Sequence, residues 1–77
     1  METIRPISSD RLRMIFEKVG FKFSRVKGDH MILTKEGIIR PVVIPVAKEV
    51  PVFIIRNNMR TAGMSREEYL KLLAETA

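Results

Sequence analysis

The chain carries one histidine, His30, directly after the run Arg25-Val26-Lys27-Gly28-Asp29. Imidazole is the side chain whose ordinary proton affinity lets it take or release a proton near neutral pH. Arg25 and Lys27 add permanent positive charge a few residues away. Metal-free cleavage of RNA asks for this combination. A base must deprotonate the 2′-hydroxyl, and positive charge must stabilise the phosphate as it becomes five-coordinate. A lone histidine in a small domain is nevertheless more often structural or merely solvent-exposed, so these residues alone leave both readings open.

Other chemistries find less support. There is no second histidine, no cysteine and no cluster of carboxylates to hold a metal, and Asp29 beside His30 is a thin metal site. The glycines are scattered at turns, so no Gly-rich phosphate loop forms. Ser24 has no base and orienting acid placed beside it by the sequence. No cofactor is expected.

Phosphate contacts have more candidates. The formal net charge is +5, and the basic residues gather in the middle of the chain. Between Lys18 and Arg60 the only acids are Asp29, Glu36 and Glu49. Such a field attracts polyanions, nucleic acid first among them. Arg25, Lys27, Lys35, Arg40, Lys48, Arg56 and Arg60 form the candidate RNA-contacting set, of which Lys27, Arg25 and Arg56 are expected to hold or neutralise the reacting phosphate. The plainer alternative is a solvated basic face that keeps the protein soluble. Phe21 and Phe23 read as core filler for a small sheet rather than a base-stacking platform.

Several elements must position these residues. Ser8-Ser9-Asp10 offers capping groups ahead of Leu12, Ile15, Phe16 and Val19, which recur at helical spacing. This predicts a helix over residues 9–19, stopped by Gly20. Two strands follow, Phe21–Lys27 and His30–Lys35, reversed at Gly28-Asp29. In the first, Phe21, Phe23 and Arg25 alternate with Lys22, Ser24 and Val26. A turn at Lys35-Glu36-Gly37 leads to a third strand, Ile38–Val46. Its Pro41 and Pro45 predict an edge position, or a bulge near Pro41. A second helix is expected over Pro51–Ala62, ending at Gly63. A short third helix is expected after Ser65, whose spacing to Glu68 is that of a capping box. Its Tyr69, Leu70, Leu72 and Leu73 would cover the end of the core.

The predicted class is α+β, with a three-stranded antiparallel sheet, helices on one face and the other face open, in the order α-β-β-β-α(-α). At 77 residues the chain supports one core and one domain over 1–77. A content of 45% hydrophobic and 30% charged residues suits a globular, soluble fold. Met1–Asp10 lacks the apolar centre of a signal peptide, and no apolar run is long enough to span a membrane. Without cysteines the chain is compatible with a reducing cytosol, so a cytoplasmic location is expected.

Three segments in order carry a family resemblance. They are Phe16-Glu17-Lys18-Val19-Gly20-Phe21, then Arg25-Val26-Lys27-Gly28-Asp29-His30, then Val43-Ile44-Pro45-Val46 through Arg60-Thr61-Ala62-Gly63 to Met64-Ser65-Arg66-Glu67-Glu68-Tyr69-Leu70. Over about residues 8–73 the chain resembles the HicA-type toxins, small RNA-cleaving partners in toxin–antitoxin pairs. The resemblance implies a fold like the double-stranded-RNA-binding domain and catalysis by His30 in a ribosome-independent messenger-RNA endonuclease. It also implies a HicB-type antitoxin that covers the site.

This chain departs from the family pattern at two places. Asp29 stands where serine often precedes the histidine, and a carboxylate there either favours the charged imidazole or repels the phosphate. Ala47 stands where a second histidine often follows the valine-proline-valine segment. Two other functions remain in view, a non-catalytic RNA-binding module of the same fold and a protein-interaction subunit docking an acidic partner.

Overall fold

The computed structural model describes residues 3–76. Met1, Glu2 and Ala77, which the expected domain 1–77 includes, lie outside the described residues. The elements run α1 (Ser9–Lys18), β1 (Lys22–Lys27), β2 (His30–Lys35), β3 (Ile38–Pro45), α2 (Val52–Ala62) and α3 (Arg66–Glu75). The strands form one antiparallel sheet in the order β1-β2-β3. This is the expected α+β class and element order.

Local chemistry accounts for the boundaries. Ser8 caps α1, its side chain accepting from the Arg11 N–H at 3.2 Å, which satisfies one of the open donors of a first turn. Leu12, Ile15 and Phe16 point inward and are fully buried. Gly20 then takes φ 100°, a conformation costly for any residue with a Cβ. Phe21 follows as a buried plug ahead of β1, meeting Phe16 edge-on with ring centroids 5.8 Å apart. The expected strand from Phe21 therefore starts one residue later.

Between β1 and β2, Gly28 takes φ 60° while Asp29 stays at negative φ. This is the signature of a type II′ turn, which matches the twist of a tight hairpin. Pro51 stands just outside α2 as its N-cap, and Ser65 caps α3 by accepting from the Glu68 N–H at 3.1 Å.

The third helix is longer than expected. It has ten residues, because it docks along α1 instead of only closing the core. Arg11 donates from Nη2 to the Leu73 carbonyl at 2.9 Å and from Nε to Thr76 Oγ1 at 3.2 Å. Tyr69 is buried, with Leu70, Leu72 and Leu73 packed against the same cluster.

The helices pack on one face of the sheet. Met31, Leu33, Val42 and Ile44 turn that way and join Leu12, Ile15, Phe16, Ile55 and Tyr69 in the core. Among the described residues no helix lies over the opposite face. β3 is an edge strand and is also irregular near Pro41. Its register slips between Leu33↔Val42 and Lys35↔Ile38, where Ile39, Arg40 and Pro41 oppose Thr34 alone. Both features anticipated from the prolines are present together.

A second irregularity corrects the expected side-chain pattern. Simple alternation puts Arg25 on the face of Phe23, towards the helices. In the structure Phe23 pairs with Leu33 and Arg25 with Ile32, so Ser24 is an extra residue in a β-bulge. One inserted residue reverses the facing of everything after it. Arg25 and Lys27 thereby turn to the open face, and Val26 turns to the helix side.

Candidate functional site

The open face is built in rows across the strands. Lys27 pairs with His30 and His30 with Pro45, while Arg25 pairs with Ile32 and Ile32 with Val43. Partners directly opposite in an antiparallel ladder share a face, as do residues two apart on one strand. His30, Lys27 and Arg25 therefore belong to one surface. All three are exposed. A shallow depression of about 530 Å³ opens beside the histidine, lined by Lys27, Gly28, His30, Ile32 and Val43.

The hairpin fixes this corner. The Asp29 carbonyl accepts from the Val46 N–H at 2.7 Å, which ties the tip of the β1–β2 turn to the end of β3. Beyond it, Ser9 Oγ donates to the Ala47 carbonyl at 3.0 Å and accepts from the Ala47 N–H at 3.1 Å. Val50 N–H donates to the Ile7 carbonyl at 2.7 Å. Ala47 is partly buried against the core. The segment leaving β3 is thus anchored to the start of α1 through backbone groups.

The candidate RNA-contacting residues divide between two ends of the molecule. Arg25 and Lys27 lie with His30, and Lys48 stands in the exposed loop that leaves β3 at the same end. Lys35 lies at the far end of β2, roughly 16 Å from His30 at strand spacing. Its Nζ rests 5.8 Å from the centroid of the Phe21 ring, and its Cε would lie 3.2 Å from a Cβ built at Gly20. Arg40 and Arg60 line a separate depression with Gly37, Ile38, Ile39 and Thr61. Arg56, expected beside Lys27 and Arg25 at the phosphate, instead stands exposed on α2 one turn before Arg60, on a helix packed against the face of the sheet opposite His30.

The ion pairs among the described residues are Arg13 with Glu17 at 3.1 Å and Lys18 with Glu75 at 3.8 Å. Neither occupies any of these seven cations, so their charge is available to an incoming anion. Among the described residues no three His, Asp or Glu side chains gather as a metal site, and no helix is long and apolar enough to cross a membrane.

Sequence reasoning missed Ile32 and Val43 as part of the site. Stepping by two from His30 reaches Ile32, but Val43 needs the β2–β3 register, which the irregularity at Pro41 obscures. Phe23 is half-buried with the Arg13 guanidinium 4.2 Å above its ring, which removes it from base stacking, as its reading as core filler anticipates.

Comparison with curated proteins returns no match. The family described as the HicA toxin of bacterial toxin–antitoxin matches residues 9–64, from the start of α1 to just beyond α2. That span includes the whole sheet and every residue of the His30 surface, and the chain belongs to the HicA toxin family.

Proposed function

We propose that this toxin is a metal-independent messenger-RNA endonuclease in which His30 moves the proton. The observation that carries this reading is the shared, uncovered face of His30, Lys27 and Arg25. His30 is free to reach a ribose 2′-hydroxyl as general base, or the departing 5′-oxygen as general acid. Lys27, directly across the ladder, and Arg25, one row further, neutralise the phosphate as charge builds on its oxygens. Water, Lys27 or Lys35 are the candidates for the second proton transfer, and of the two lysines Lys27 is the nearer to His30, Lys35 being at the other end of the strand.

Lys48 extends the phosphate path at the same end, while Arg40, Arg56 and Arg60 serve a more distant part of a long RNA. The partner is a HicB-type antitoxin that covers the His30 face, and the pair acts in the cytoplasm, where messenger RNA is met.

The test is incubation of the purified protein with a long messenger RNA and with the same sequence made as 2′-deoxy polymer, both in chelator. Fragmentation of the RNA alone supports the reading. One observation favours a second reading, a non-catalytic RNA-binding module: Asp29 sets a carboxylate beside His30. Retarded but intact RNA, with binding that weakens as salt rises, selects that alternative.

A further inference from the structure

The depression beside His30 has a floor unlike its rim. Lys27 and His30 supply the polar edge, whereas Ile32 and Val43 form the base and carry no hydrogen-bonding side-chain atoms. Ile32 is only 8% exposed although no helix among the described residues covers its face, and Val43 is 36% exposed beside it. The two branched side chains therefore make an apolar shelf, its open surface supplied mainly by Val43, roughly 7 Å along the strand from His30. A phosphate gains nothing there, since burial against hydrocarbon strips its water without replacing it. A planar aromatic ring gains contact over its whole face.

We infer that Ile32 and Val43 form a nucleobase shelf, seating one unpaired base of single-stranded RNA while the adjoining phosphate lies between His30, Lys27 and Arg25. The inference rests on the reading of His30 as the cleaving residue and adds the substrate form that the site accepts. Charge complementarity favours RNA over a protein side chain as the occupant, because Lys27 and Arg25 border the shelf without carboxylate partners among the described residues. A paired base cannot lie face down on the sheet, so the RNA is single-stranded at the shelf. The shelf has no donor or acceptor with which to read base edges, so it discriminates weakly among bases. Gly28 at the edge keeps the approach open, with nothing within 4 Å of the position a Cβ would take.

The test separates base from backbone. The full-length protein, with Ile and Val methyls labelled for NMR, is titrated with 2′-O-methyl oligoadenylate, which cannot be cut because its nucleophile is blocked. A matched oligomer of abasic residues carries the same phosphates without bases. The expected result is a ring-current shift of the Ile32 and Val43 methyls with the adenylate alone, and affinity about tenfold higher for the base-bearing strand. Val43→Thr keeps the size of the side chain and is expected to shrink that preference while leaving abasic binding unchanged. Equal affinities for the two strands, or methyls silent while the Lys27 and His30 signals move, overturn the shelf. Methyls that respond only to an acidic protein overturn it too. Cleavage of ordinary RNA in a parallel sample keeps the outcomes apart. Cleavage with silent methyls removes the shelf and leaves His30 standing, whereas shifted methyls without cleavage keep the shelf and remove the endonuclease.

Discussion

At the scale of single residues, charge placement around His30 makes the sharpest predictions. Lys27 faces His30 across the ladder and Lys35 does not. Lys27→Ala is therefore expected to lower RNA cleavage by at least about tenfold, and Lys35→Ala to change it by less than about threefold. Initial rates on one RNA at fixed salt compare them. Equal losses would mean that the two ends of β2 contribute alike. Asp29 occupies the second position of the hairpin turn, where serine is sterically acceptable. Asp29→Ser removes a negative charge from the phosphate path. It should raise RNA affinity roughly two- to fivefold at low ionic strength, and the gain should fade with added salt as the charges are screened. The histidine and its two cations were readable from residue types and spacing alone. Their common facing follows from the two-residue Gly28-Asp29 turn; that this face is the open one and not that of Phe23 was not legible, because it depends on the extra residue Ser24, and no local propensity marks that position as a bulge.

At the scale of elements, the site is held by a few contacts that the sequence pattern only partly reveals. Helix faces, glycine stops and the Gly28-Asp29 turn follow from periodicity and backbone freedom. The clamp between Ser9 and Ala47 joins residues 38 apart and has no short-range signature. Ser9→Ala leaves the part-buried Ala47 N–H without its acceptor, and should destabilise the fold by about 1–2 kcal/mol in denaturant unfolding. A loss near zero would mean that the β3–α2 connection is held by other contacts. Tyr69 gives a second check on the docking of α3. Burial pushes its phenol up to about 12, against the opposing pull of the Arg11 charge, and its hydroxyl meets no partner among the described residues. The folded chain thus keeps the phenol neutral where the unfolded chain ionises it. The contribution is complete below pH 10 and is lost as pH rises from 10 towards 12. Unfolding experiments across that window should show falling stability for the natural protein and a flatter profile for Tyr69→Phe.

At the scale of the whole molecule, the sheet divides the labour: helices and core on one face, His30 and its cations on the other. Composition and element order were enough to read the fold class, since three strands and amphipathic helices have few ways to bury one apolar face each. The distance of Lys35 from His30 was legible from strand spacing, but the grouping of Arg40 with Arg60 was not, because it depends on how α2 packs on the sheet beside the irregular stretch of β3. That separation predicts a length dependence. A short single-stranded RNA reaches the His30 end only, so Arg60→Ala should leave its binding and salt dependence unchanged. Lys27→Ala should reduce the slope of log affinity against log salt by about 0.7. The central claim, that His30 carries the chemistry, meets its most direct test in the cleavage rate of one messenger RNA by the natural protein and by His30→Ala, in chelator, with binding measured on the same preparations. His30 is exposed and outside the core, so the variant should fold and bind RNA normally while its cleavage falls by at least about a hundredfold. Undiminished cleavage by a well-folded His30→Ala protein would contradict the account.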